Sequence, residues 1–141
     1  MRAEDSSPDR VVFDTNVLIS AYLWQGPPRK ALELARSGRC QLVISNEALR
    51  EFVRVLAYSK FGLTPREIAP ILEDLMSIAL FVPVRSRIAA IKADPTDNVF
   101  VGLAVDSGAR YIVSGDRHLL DLRKYRSIEI ITVARFIRRF I

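Results

Sequence analysis

Apolar and polar positions along this chain follow two alternating patterns. Short, nearly continuous apolar runs, of the kind that fill the middle of a sheet, stand at residues 10–14 (RVVFD), 41–45 (QLVIS), 110–114 (RYIVS) and 128–131 (IEII), with a shorter one at 81–84. Between them lie stretches punctuated as helices. Thr15 and Asn16 are cap-type residues ahead of an apolar helix at 17–24, and Pro27 and Pro28 open a second that stops at Gly38. Ser45 or Asn46 caps a third that runs to about Tyr58. Thr64, Pro65 and Glu67 form a capping box with Pro at the first helical position, and Pro70 in the same stretch should kink that helix. Asp94, Pro95 and Thr96 start a further helix and Gly108 stops it. Its apolar middle, 99–105, suits a strand by composition, but the length between the two signals makes it a buried helix. A turn at Gly115 and Asp116 leads into a short helix at 118–122. Thr132 caps a terminal helix with Val133, Phe136, Ile137 and Phe140 on one face and Arg135, Arg138 and Arg139 opposite. Strands repeatedly separated by helices imply an α/β fold with a mostly parallel central sheet covered on both faces.

The length of 141 residues, half of them hydrophobic, fits one domain over residues 10–141, while residues 1–9 lack apolar periodicity and are expected to be a disordered tail. Cys40 is the one cysteine, which excludes an intrachain disulfide, argues against a zinc site and suits the reducing cytoplasm. The longest unbroken apolar run is 78–82, far too short to cross a membrane, and the polar N-terminus does not read as a signal peptide. The formal net charge of +5 is unevenly placed. Residues 117–141 hold seven basic and two acidic side chains, so the excess lies wholly at that end, which suits a polyanionic partner or a solvated face.

Three acidic residues follow apolar segments or begin helices: Asp14, Asp97 and Asp116. In a parallel α/β sheet the carboxyl ends of the strands share the edge at which ligands bind, so Asp14 and Asp116 fall together there. Asp is also a favoured helix cap, and position alone does not separate a cap from a ligand. Their neighbours favour a site, because Thr15 and Asn16 follow Asp14, and Ser114 and Gly115 precede Asp116, each supplying small polar groups. Asp94 stands three residues before Asp97 and adds a further carboxylate. Carboxylates gathered at one edge repel each other unless a cation neutralises them, and hard oxygen ligands favour Mg²⁺ or Mn²⁺. In the helix beginning near Ser45, Glu51 falls at the border of the apolar arc and can point into a cleft. Glu47 lies on the polar face with Arg50 and Arg54, as an exposed arginine partner.

The segments VVFDTNVL at 11–18, LREFVRVL at 49–56, DPTDNVFVGLAV at 94–105 and YIVSGDRHLL at 111–120 resemble the four acidic motifs of PIN-domain ribonucleases, over about residues 10–131. The likeness is strongest to small single-domain prokaryotic PIN proteins, many of which are toxins of toxin–antitoxin pairs, the VapC type being the best known. It implies a three-layer α/β/α domain in which Asp14, Glu51, Asp97 and Asp116 are catalytic and hold one or two Mg²⁺ or Mn²⁺ ions. Asn16 and Ser114 fall on positions that often support the cluster, with Thr15 beside them, and Asp94 matches a position that is frequently acidic. It also implies a homodimer and an antitoxin partner that blocks the cleft with an extended segment.

The resemblance implies metal-dependent hydrolysis of RNA phosphodiester bonds, which in this family leaves a 5′-phosphate and a 3′-hydroxyl. A divalent ion supplies an acidified water and stabilises charge on the phosphate, so no catalytic histidine is required. His118 is expected on a helix surface, Cys40 in strand packing, and Trp24 in the core or at a dimer surface. Arg117, Arg123, Lys124 and Arg126 follow Asp116 and are placed to clamp RNA phosphates. One rival is a non-catalytic nucleic-acid or protein-binding module that uses the basic C-terminal region, with the carboxylates as caps. A phospho-aspartate receiver or phosphatase fits poorly: the second Asp that the phosphatase pattern needs is Asn16 here, and receivers want an acidic pair before the phosphoacceptor.

Overall fold

The computed structural model describes residues 7–88 and 97–141. Six strands and seven helices are seen there: β1 (Arg10–Phe13), α1 (Thr15–Leu23), α2 (Pro27–Arg36), β2 (Gln41–Ile44), α3 (Asn46–Leu56), α4 (Pro65–Ile78), β3 (Leu80–Phe81), α5 (Asn98–Ser107), β4 (Tyr111–Val113), α6 (Arg117–Leu122), β5 (Lys124–Tyr125), β6 (Ile128–Ile131) and α7 (Val133–Arg138). One 3-10 turn, Ser59–Phe61, links α3 to α4. The strands form one sheet in the order β3-β2-β1-β4-β6-β5. Every pairing is parallel except β5 with β6. In the central register Val11 lies beside Leu42 on one side and Tyr111 on the other, and Val113 beside Ile131.

The apolar runs are short and continuous because the central strands are covered on both faces. Val11, Val12, Ile112 and Val113 are wholly buried. Helix α5 packs over β1, β2 and β4 and touches α3, while α1 packs on α2 and α3, and α7 on α2. Phe136 of α7 is fully buried edge-on against Phe13, Tyr111 and Phe140. Arg135, Arg138 and Arg139 face out, as the helical period requires.

Local differences from the pattern have identifiable causes. The cap of α1 is Asp14, one residue before Thr15 and Asn16, because the strand ends at Phe13 and the Asp14 carboxylate reaches the Val17 N–H. Helix α4 runs through Pro70 to Ile78; the capping box at Thr64 and Glu67 forms as expected. The run at 81–84 contributes only Phe81 to a strand, since β3 is Leu80–Phe81 and the chain then leaves the sheet at Pro83. The segment 99–105 is helical, and α5 ends at Gly108 in the left-handed region (φ 71°), which glycine enters without a steric penalty. The helix start read at Asp94, Pro95 and Thr96 lies outside the described residues. The antiparallel strand β5 carries no apolar alternation, and the positive-φ residues that flank it are Arg123 (φ 60°) and Arg126 (φ 55°) rather than glycines.

Candidate active site

Asp14 is placed by the sheet. Its backbone N–H donates to the Val113 carbonyl (3.1 Å), which extends the β1–β4 pairing by one residue and sets Asp14 beside Ser114. Ser114 is held in turn by its N–H on the Ile131 carbonyl (3.0 Å). Both side chains are buried, Asp14 at 4% exposure and Ser114 at 0%. The Asp14 Oδ1 accepts from the Val17 N–H (2.9 Å), and its Oδ2 accepts from the Ser114 hydroxyl. The Ser114 Oγ also accepts from the Asp116 N–H (2.9 Å). One hydroxyl therefore links the two carboxylate-bearing turns at the carboxyl edge of the sheet. Asp116 is half-buried and caps α6, its Oδ1 accepting from the His118 N–H (2.7 Å).

Burial raises the Asp14 pKa above its ordinary 3.8, and the nearby Asp116 charge adds to the rise, while the hydrogen bonds from Ser114, Val17 and Gly115 oppose it. A desolvated carboxylate next to a second carboxylate lacks a counter-charge.

Glu51 joins from α3. The Thr15 hydroxyl, next in the chain after Asp14, donates to Glu51 Oε2 (3.0 Å), and Arg54 pairs with Oε1 (3.3 Å). Glu51 is half-buried and Glu47 exposed, as the helical arc requires; the arginine pair on this face, however, belongs to Glu51, because Arg54 lies one turn on from it. Asp97 is buried at 7% exposure immediately before α5, and its side chain does not cap that helix. Asn16 is exposed in the first turn of α1, and Asp94 lies outside the described residues. Asp14, Ser114 and Asp116 are thus directly joined, Thr15 ties Glu51 to the same corner, and Asp97 stands at the start of the helix that packs over β1.

Among the described residues no three His, Cys, Asp or Glu side chains stand close enough to hold a metal ion between them. The donor set nonetheless fits Mg²⁺, which keeps several waters and is bound through one or two carboxylates. Each capping carboxylate spends one oxygen on a backbone N–H, and an oxygen that accepts one hydrogen bond keeps a second lone pair.

Arg117, His118, Arg123, Lys124 and Arg126 are all exposed, and the Arg126 guanidinium lies 5.3 Å from the Tyr125 ring centre. Cys40 is buried, with its thiol pushed up to about 12 by desolvation, so it packs rather than reacts. Trp24 is 52% exposed, its ring 6.0 Å from that of Phe61.

The sequence pattern does not single out Arg85, Ser86, Arg87 or Asp106. In the fold Arg85, Ser86 and Arg87 border a cavity of 660 Å³ that Ser45 and Glu47 also line, and Asp106 accepts the Ser86 N–H. Two arginines alternating with small or apolar residues just past an edge strand were the available signal.

A mostly parallel sheet with two acidic turns joined at its carboxyl edge defines an α/β domain whose candidate site lies at that edge. The PIN domain family model matches residues 10–118, and the chain belongs to that family, whose members are generally nucleases. No curated protein gives a significant match to the sequence. Among solved structures, PAE2754 from Pyrobaculum aerophilum is similar at 15% identity and a TM-score of 0.64, over 94% of this chain and 89% of that one. VapBC2 from Rickettsia felis, bound to a DNA fragment from their promoter, is similar at 12% identity and a TM-score of 0.60, over 87% of this chain and 98% of that one. At such identities the likeness is one of fold. Among the described residues, no helix is long and apolar enough to cross a membrane.

Proposed function

We propose that this chain is a Mg²⁺- or Mn²⁺-dependent endoribonuclease, acting in the cytoplasm as the toxin of a type II toxin–antitoxin pair. The observation that carries the reading is the buried Asp14 carboxylate. It is oriented by the Ser114 hydroxyl, and its desolvation and the nearby charge of Asp116 raise its pKa, a cost that a divalent cation would relieve. Asp14 and Asp116 would hold the ion, with Glu51 and Asp97 completing the acidic set directly or through water. When bound, the ion lowers the pKa of a coordinated water and stabilises the charge that develops on the phosphate. Ser114 fixes the Asp14 oxygen and the Asp116 turn, and Thr15 aims Glu51 towards the same corner. The exposed Arg117, Arg123, Lys124 and Arg126 neutralise phosphates beyond Asp116. The fold likeness to VapBC2 supports an antitoxin partner, and a homodimer belongs to the same reading.

One observation favours the non-catalytic binding reading: Asp14 and Asp116 both do cap helices. A single assay separates the two. Mg²⁺ or Mn²⁺ is titrated into wild type and D14N with a labelled structured RNA, with EDTA controls. Cleavage that requires metal and is lost in D14N is the expected result. RNA binding without cleavage in either protein would overturn the nuclease reading in favour of the binding module.

A further inference from the structure

After β3 the chain does not turn away from the carboxyl edge. Residues 82–88 form an extended strap along the flank of α5, with exposure alternating from residue to residue. The strap is clasped at one point. The Asp106 carboxylate of α5 accepts the successive backbone N–H groups of Arg85 (2.6 Å) and Ser86 (2.9 Å) on one oxygen and the Ser86 hydroxyl on the other. It is also seated closely. A Cβ built on Gly102 would lie 3.4 Å from Val84 Cγ1 and 3.6 Å from the Ser86 carbonyl oxygen, ordinary van der Waals distances that place the strap in contact range of the helix.

With Val84, Ser86 and Ile88 turned inward, Arg85 and Arg87 are exposed, and neither forms an ion pair with a described residue. The Asp106 carboxylate feels the Arg85 charge, but its oxygens are taken up by backbone and hydroxyl donors. Both arginines line the 660 Å³ cavity together with Glu47 and Val99. Glu47 and Val99 also line an adjoining pocket of 320 Å³ that contains Glu51, the residue tied to Thr15 beside Asp14. The two hollows share Glu47 and Val99 and so adjoin, leading from the strap to Glu51. Arg50 and Arg54 of α3 line the Glu51 end, Arg54 already paired with Glu51, while Arg85 and Arg87 are the cations at the strap end, across from Glu47.

We propose that the clasped strap is a phosphate-binding wall for the RNA strand on the β3 side of the cleavage point, with Arg85 and Arg87 engaging its backbone phosphates. This deepens the ribonuclease reading and rests on it. The strand would cross the sheet edge over the carboxylates, with Arg85 and Arg87 on one flank and Arg117 on the other. Guanidinium groups suit this task because they stay charged and present a fork of donors matched to phosphate. Such contacts hold register without reading bases.

The test is equilibrium binding of a labelled single-stranded RNA to the full chain in EDTA, so that binding is read without cleavage, over a series of salt concentrations. R85Q and R87Q, singly and together, are compared with R138Q, which removes one exposed charge at the end of α7. R85Q/R87Q is expected to bind at least tenfold more weakly. Its salt slope should be shallower by about 1.4, two phosphate contacts at roughly 0.7 each for single strands. R138Q should leave the slope unchanged, and R85K/R87K should restore most of the binding. An R85Q/R87Q slope and affinity equal to wild type, in protein of unchanged Tm, would overturn the strap proposal even if wild type cleaves RNA with metal. A strap-dependent slope in a protein that never cleaves would keep the strap and overturn the nuclease.

Discussion

The Ser114 hydroxyl donates to the Asp14 carboxylate across the seam between β4 and β1 while its oxygen accepts the Asp116 N–H. One buried side chain therefore sets the geometry of two acidic turns that are a hundred residues apart in the chain. Replacing Ser114 with alanine removes a donor from a buried carboxylate and an acceptor from a backbone N–H. We expect S114A to cost about 1–3 kcal/mol in denaturant unfolding, the usual range for stranded buried polar groups. Metal affinity should also fall, most at the acid end, because loss of this hydrogen bond pushes the Asp14 pKa higher still. Unchanged stability with unchanged Mg²⁺ binding would show that Ser114 orients nothing.

Asp14 itself should be a burden on the metal-free fold. Its pKa is raised in the folded state, so this group's penalty is absent below its ordinary 3.8 and complete once the pH exceeds the folded value. Metal-free D14N should melt at or above wild type at neutral pH, by up to about 4 °C, roughly what 1 kcal/mol is worth at this size. That advantage should shrink as the pH is lowered towards 3.8. Added Mg²⁺ should raise the Tm of wild type and not of D14N. A D14N protein that melts well below wild type without metal would mean that the carboxylate is chiefly a helix cap.

The opposite sign holds for Asp74 on α4. Arg36 pairs with its carboxylate and the Tyr22 hydroxyl donates to it (2.7 Å), which together lower its pKa below 3.8. Its contribution is complete above 3.8 and is lost as the pH falls through the lower folded value. With both partners about a third exposed, D74N should cost about 1 kcal/mol at pH 7. The gap between D74N and wild type in urea unfolding should stay constant above about pH 5, well clear of the ordinary aspartate value, and close under acid conditions. A gap that widens on acidification would rule out this account.

Much of the architecture is legible in the residues because the central strands are apolar without interruption and their helices begin on Ser45, Thr64 and Thr132, whose side chains do cap them. The shared edge of Asp14 and Asp116 follows from parallel topology alone, and the half-buried stance of Glu51 from its place on the α3 arc. What escapes the pattern depends on contacts distant in sequence. The two-residue β5 is held by pairing with β6 and not by its own composition. Cap assignment slips by one residue at Asp14, since it depends on where the β1 ladder stops. The clasp between Asp106 and Ser86 joins residues twenty apart that share no motif.

Trp24, the only indole in the chain, sits half in water at the end of α1 beside Phe61. Its fluorescence accordingly reports on the α1 terminus and its contact with Phe61. It is a native optical reporter: a molecule that settles over the α1 terminus and strips water from the ring would shift its emission to the blue without any label.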